Sequence, residues 1–259
     1  MSAARRVVAI GMGMGPQHLT PEAVRALRSV DLVLAFEKGS HDPLLEVRRA
    51  VCADHDVRLV VVPDAERDRR EGLDGPAYAD AVADWHERRV AAWAHALAEH
   101  PGDVGLLVWG DPGLYDSTLR LLDALGGRFE LAVEVVPGVS SLQLLAARHR
   151  LVLHDVTQPL HVTTARRLPE ALAQGQRNVV VLLNRRVDLA GLGVEDWTMW
   201  WAANLGAGGE QAVAGRVRDV LAEVHTARER AEAADGWVMD LYLLRAPDLG
   251  GVGADEDAR

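Results

Sequence analysis

The sequence of 259 residues has a single cysteine, Cys52, so no internal disulfide can form. That absence fits a reducing cytoplasm. Cys52 follows Leu44, Leu45, Val47 and Val51 in a helical pattern and reads as a small buried hydrophobe. Lysine is almost missing as well: Lys38 is the only one, so any site that needs an amine has one candidate. Positive charge is in deficit, with a formal net charge of -10, which argues against a nucleic-acid surface. No apolar run approaches the ~20 residues of a membrane span. Met1-Ser2-Ala3-Ala4-Arg5-Arg6 leads straight into a strand-like run, without the apolar core and cleavage site of a signal peptide. Internal repeats and coiled-coil heptads are absent too. The composition therefore predicts a cytoplasmic globular protein with no nucleic-acid or membrane partner.

What is present is an alternation. Apolar runs at 7–11, 31–36, 57–62, 104–109 and 131–136 predict strands. Between them lie helical patterns. The first opens at Thr20-Pro21-Glu22, with threonine at the N-cap and proline at the first helical position. Others span 41–53 and 76–100, and a further one opens at 139–147. The helix over 76–100 carries a stripe of Tyr78, Val82, Trp85, Val90, Trp93 and Leu97, which predicts core or subunit packing. Strands alternating with helices imply a mostly parallel sheet covered on both faces. The pattern breaks at 150–159. A second, shorter alternation follows, with strands expected at 160–164, 178–183, 197–203, 211–215 and 237–244 and a helix at 217–234. The reading is an α/β protein of two domains, 1–150 with a mostly parallel sheet and 151–249 with a mixed sheet. A disordered acidic tail is expected over 250–259.

The most informative stretch is Val108-Trp109-Gly110-Asp111-Pro112-Gly113-Leu114-Tyr115-Asp116-Ser117-Thr118. An apolar strand stops at Gly-Asp-Pro and a helical pattern follows. Open α/β sheets bind ligands at such carboxyl ends. Glycine admits close approach to the backbone, and proline fixes φ and has no N–H. The first strand also ends in glycines, Gly11-Met12-Gly13-Met14-Gly15, and Glu37 ends the second. That combination permits a dinucleotide site with Glu37 on the ribose. The helix signal arrives only at Thr20, however, whereas a pyrophosphate loop opens directly into its helix. A nicotinamide- or flavin-dependent oxidoreductase is the alternative reading.

Three pieces occur together in order: Gly11-x-Gly13-x-Gly15 with Leu19-Thr20; Trp109-Gly110-Asp111-Pro112-x-x-Tyr115; and Val135-Val136-Pro137-Gly138-Val139-Ser140-Ser141. This set resembles the tetrapyrrole methylases, over nearly the whole chain. The first glycine loop is one residue shorter than the family's usual pattern. Further stretches resemble the members that act in the oxygen-dependent cobalamin route. They include Glu37-Lys38-Gly39, Ala83-Asp84-Trp85-His86, Ala146-Ala147-Arg148-His149-Arg150 and Gly236-Trp237-Val238-Met239-Asp240-x-Tyr242. The resemblance implies methylation of C-1 of precorrin-5 with release of acetate, or methylation of another tetrapyrrole. It implies S-adenosyl-L-methionine as methyl donor, S-adenosyl-L-homocysteine as product, a small-molecule tetrapyrrole as partner, and a homodimer.

The resemblance also assigns residues. The cofactor is expected folded between the two domains. Gly110, Asp111 and Pro112 would line its methionine part, with Tyr115, Ser117 and Thr118 just beyond. Ser140 and Ser141 would offer hydroxyls and helix N-terminal amides. Leu183 would touch the adenosine, and Asn204, Leu205 and Gly206 would supply main-chain contacts to adenine. Methyl transfer from a sulfonium needs alignment and no metal, and His149, His154 and His161 are spaced too irregularly for a metal motif. Deacetylation needs water attack on a ketone, hence a base and an oxyanion partner. Glu37 and Lys38 are the candidates for these roles, with Asp240 and Tyr115 in reserve. Substrate carboxylates call for arginine, and Arg67, Arg69, Arg70, Arg166, Arg167, Arg185 and Arg186 are the candidates.

Overall fold

Five short apolar strands sort into one parallel sheet in the order β3-β2-β4-β1-β5. They are β1 (Arg5–Gly11), β2 (Leu32–Glu37), β3 (Leu59–Pro63), β4 (Val104–Val108) and β5 (Leu131–Val136). The computed structural model describes residues 4–37, 42–64 and 75–249. β4 is apolar along its whole length, and β1 and β2 are apolar apart from Arg5, Arg6 and Glu37 at their ends, because both faces are covered. On one face α1 (Pro21–Leu27) and α2 (Pro43–Asp54) pack Ala23, Leu27, Val51 and Cys52 against Val8, Ile10 and Val33. On the other, α3 (Gly75–Glu99) and α4 (Thr118–Gly126) pack Val90, Trp93, Leu97, Leu121 and Leu125 against Val7, Ala9, Leu34 and Leu106. Burial pushes the Cys52 thiol up to about 11, so it is inert packing.

Local signals start these helices where sequence places them. The Thr20 hydroxyl accepts from the Ala23 amide at 3.0 Å ahead of Pro21. Asp42 does the same for the Leu45 amide at 3.1 Å ahead of Pro43. Each cap satisfies one orphan N–H.

The second sheet runs β6-β7-β10-β8-β9, and only its β6–β7 pair is parallel. Its strands are β6 (His161–Thr164), β7 (Asn178–Leu182), β8 (Thr198–Ala203), β9 (Gln211–Arg216) and β10 (Asp240–Arg245). α6 (Leu168–Ala173) and α7 (Val217–Asp235) bury Leu168, Val224, Ala227 and Ala231 against Val179, Val181, Trp201 and Tyr242. α5 (Ser141–His149) lies against β8, β9 and β10 of the same sheet.

The chain accordingly divides into two units, Met1–Ser140 and Ser141–Arg259. The expected boundary at 150/151 is ten residues late, because α5 packs on the second sheet. β10 starts at Asp240 and not at residue 237. Gly236 ends α7 in the left-handed region at φ 72, and residues 237–239 are held as a loop by Asn204. β3 starts at Leu59, two residues later than its apolar run. The expected tail at 250–259 lies outside the described residues. Among the described residues no helix is long and apolar enough to cross a membrane.

Candidate functional site

The carboxyl ends of β1, β4 and β5 carry three loops that interlock through their main chains. Gly13 and Gly110 exchange both amide bonds, at 3.2 and 2.8 Å. Both sit at positive φ, 68 and 72, where a side chain is strained. A Cβ on Gly138 would stand 2.1 Å from the Gly110 carbonyl oxygen, and one on Gly11 would stand 2.4 Å from the Gly138 amide nitrogen. Asp111 locks the set: its Oδ1 accepts from the Gly113 amide at 2.8 Å and its Oδ2 from the Gly138 amide at 2.9 Å. Sequence placed Asp111 against the ligand, but its carboxylate is a strut between two loops. The shortened first loop closes on itself through a 3-10 turn at Pro16–His18. This intervening turn, with α1 starting only at Pro21, removes the helix N-terminus that a pyrophosphate grip requires.

The loops meet where the chain leaves the sheet in opposite senses. β1 runs to α1 on one face and its neighbour β4 runs to α4 on the other, so their ends part and leave a crevice. Gly110, Asp111, Pro112 and Ser140 gather there. A Cβ on Gly110 would make ordinary contact with the Met14 sulfur at 3.6 Å and the Ser140 Cα at 4.0 Å, so its positive φ, not lack of space, is what calls for glycine there. Ser141 opens α5 and belongs to the second unit.

In the second unit, β7 and β8 end on the same edge of the sheet, on either side of β10. Pairing of Tyr242 with Val181 and of Asp240 with Ala203 puts Leu183 beside Asp240 and Asn204 beside Met239. Leu183 is 64% exposed, which rules out core packing. Asn204 is fully buried, and its side chain binds the Trp237 carbonyl and the Met239 amide, both at 2.9 Å. Leu205 is buried behind it, and the Gly206 amide donates to Glu210 at 2.8 Å. Tyr115, Leu183 and Asn204 all have positive φ (50, 58 and 50), among five such non-glycine residues described. Backbone held in this region by non-glycine residues concentrates at functional sites.

Glu37 ends β2 on the surface, and Lys38 lies outside the described residues. So do Arg67, Arg69 and Arg70. Arg167 and Arg186 sit in exposed ion pairs with Glu170 and Asp188. Asp240 is no surface base. Its side chain is 0% exposed and accepts from the Trp201 indole at 3.1 Å and from Arg228 at 3.2 Å. Burial pushes its carboxyl up, and Trp201 and Arg228 pull it down.

Ser117 and Thr118 open α4. They border a cavity of about 120 Å³ between the ends of β2 and β4, together with Arg48, Arg89 and Trp93. Sequence reasoning missed these last three as site residues. Its one available signal was Arg89, four residues from Trp85 and from Trp93 in an apolar stripe. The Arg89 guanidinium lies 4.9 Å from the Trp85 ring centre and donates to Asp64 at 2.8 Å and to Ser117 at 3.2 Å.

Comparison with known proteins adds one family match and three similar proteins. The family model for Tetrapyrrole (Corrin/Porphyrin) Methylases matches residues 6–221. The chain is 37% identical over 252 residues to the Sinorhizobium sp. protein "Precorrin-6A synthase [deacetylating]", covering 93% of this chain and 95% of that one. A solved cobalamin synthesis related protein (CobF) from Corynebacterium diphtheriae superposes with a TM-score of 0.79 at 32% identity, over 96% of this chain and all of that one. The Thermus thermophilus uroporphyrin-III C-methyltransferase complexed with S-adenosyl homocysteine shares the fold at a TM-score of 0.56 and 23% identity, over 93% of this chain and 97% of that one.

Proposed function

Because the chain belongs to the tetrapyrrole (corrin/porphyrin) methylases and is an S-adenosylmethionine-dependent methyltransferase of cobalamin biosynthesis, we propose that it methylates C-1 of precorrin-5 and releases the acetyl group there as acetate. The observation that carries the reading is the interlocked glycine floor at the parting ends of β1 and β4. It presents main chain to a ligand and has no helix N-terminus aimed at a phosphate.

The residues fit the donor. The Gly110 loop receives a methionine portion by this reading, and the exposed Leu183 offers an apolar contact to adenosine. S-adenosylmethionine, when bound, supplies a methyl group already activated by its sulfonium. The protein's own work is therefore alignment, which is worth about 7–11 kcal/mol in well-oriented reactions. Ser140 and Ser141 complete the donor site by this reading. Asn204 serves indirectly, since its buried side chain fixes the loop beside its own carbonyl.

For acetate release we assign Glu37, exposed at the end of β2, to deprotonate the attacking water, and Lys38 to the developing oxyanion. Anaerobic incubation with precorrin-5 and methyl-labelled donor, read by mass spectrometry and acetate assay, tests both steps. Methylated product and acetate are expected in equal amounts. Methyl transfer without acetate would move the activity to another ring position. Glu37→Gln should keep methyl transfer and slow acetate release about 100-fold; an unchanged acetate rate refutes the role.

The homodimer belongs to this reading. Val133 and Val135 are 44% and 48% exposed on the edge strand β5, and an apolar strand edge invites pairing. Sedimentation equilibrium should give twice the chain mass, and a monomer at micromolar concentration would remove it.

A further inference from the structure

The parallel sheet has a second place where neighbouring strands part. β2 runs to α2 on one face and β4 runs to α4 on the other. The cavity of about 120 Å³ occupies that crevice. Its walls carry hydrogen-bond donors in excess. Arg48 donates to the Leu107 carbonyl at 2.9 Å and to the Leu44 carbonyl at 3.1 Å, and no carboxylate lies within ion-pair distance among the described residues. The Trp93 indole N–H is buried and has no acceptor among the described residues. Its ring is fixed by stacking on Phe36 at 4.6 Å.

Two acids, Asp42 and Asp116, also line the cavity, and each has one carboxylate oxygen engaged by a local amide. Asp42 caps α2 through the Leu45 amide, Asp116 accepts from the Thr118 amide at 2.6 Å, and Asp64 pairs with Arg89. Burial lowers the Arg48 pKa and the fields of Asp42 and Asp116 oppose it, but no carboxylate oxygen is bonded to its guanidinium among the described residues. A buried donor without an acceptor is costly, and a desolvated cation more so. The Arg48 guanidinium and the Trp93 N–H suit a small acceptor carrying negative charge.

We propose that the β2–β4 crevice is a carboxylate subsite, in which Arg48 and the Trp93 indole N–H hold a two- or three-carbon acid. The inference rests on the methylase reading, which supplies two sources for that group. One is an acetate or propionate arm of the macrocycle, and the other is free acetate.

The test is carbon NMR line broadening of carboxyl-labelled acetate and propionate titrated with the full chain against a chloride background. Saturable binding is expected. Arg48→Gln should weaken it at least about tenfold, and Trp93→Phe, which keeps the stack and loses the N–H, about threefold. Uroporphyrin should displace the acid if a macrocycle arm is the natural occupant, and its octamethyl ester should not. Displacement by neither assigns the site to free acetate. Absence of saturable binding, or unchanged affinity in folded Arg48→Gln, overturns the subsite. Should that variant not fold, unchanged affinity in Trp93→Phe overturns it instead. Calorimetry with S-adenosylhomocysteine runs in parallel and should be unaffected by either substitution. Failure of the wild type there would sink the methylase reading while the carboxylate result stood alone.

Discussion

Gly138→Ala will abolish S-adenosylhomocysteine binding and lower the stability of the first unit by about 3 kcal/mol, the upper end of the usual cost of overpacking. The added methyl would lie 2.1 Å from the Gly110 carbonyl oxygen and 2.8 Å from the Gly11 carbonyl carbon. Both obstacles are main chain, so no rotamer change relieves them. Either the β5 loop moves and the Asp111 bond to the Gly138 amide breaks, or the Gly13–Gly110 bridge opens. Each outcome disassembles the floor. Gly126→Ala is the control, since that residue ends α4 and a Cβ there meets nothing within 4 Å. It should be neutral or stabilise by up to about 0.5 kcal/mol. Denaturant unfolding and ligand calorimetry on both variants decide the matter. Wild-type affinity in Gly138→Ala would show that the floor does not carry the donor.

The second large effect belongs to the other unit. Asp240→Ala should cost about 3 kcal/mol, because it leaves the Trp201 indole without an acceptor and strands Arg228 beside an apolar core. Scanning calorimetry should show the second unit melting earlier with the first unchanged. Arg228→Met is the informative partner. It leaves Asp240 buried and unpaired, so the carboxyl rises further and the group prefers its proton. An acid whose folded value lies above its unfolded one stabilises increasingly as pH falls toward that unfolded value. Arg228→Met should therefore regain stability on acidification from neutral pH, and Asp240→Ala should not. Parallel pH profiles for the two variants would show that the Arg228 contact carries no charge interaction.

How much of this was legible beforehand follows from how far each property reaches along the chain. β1 and β4 were plain in sequence because strands covered on both faces form continuous apolar runs, here residues 7–10 and 104–108. The caps at Thr20 and Asp42 act over three residues, and Thr20 was read directly. The extra strand length assigned at 237–239 came from apolar residues that continue the pattern; Asn204, more than thirty positions away, holds them as a loop. The unit boundary was misplaced for the same reason, since nothing in α5 itself says which sheet it covers. The resemblance grouped Ser117 and Thr118 with Gly110, but nothing in the sequence showed that they also border a cavity at the ends of β2 and β4. Arg48 carried no signal in the sequence that would single it out. Only the fold shows its guanidinium at the end of β4, bonded to Leu107.

The left-handed backbone at Leu183 has a bearing on engineering. Glycine would suit that geometry without steric conflict, and its neighbours would lose little, since the leucine is mostly in water. Directed evolution for heat resistance alone would therefore drift toward smaller residues at this position. If the proposed contact to adenosine holds, such a screen would discard it, so thermal selection on this scaffold has to be coupled to a methylation readout.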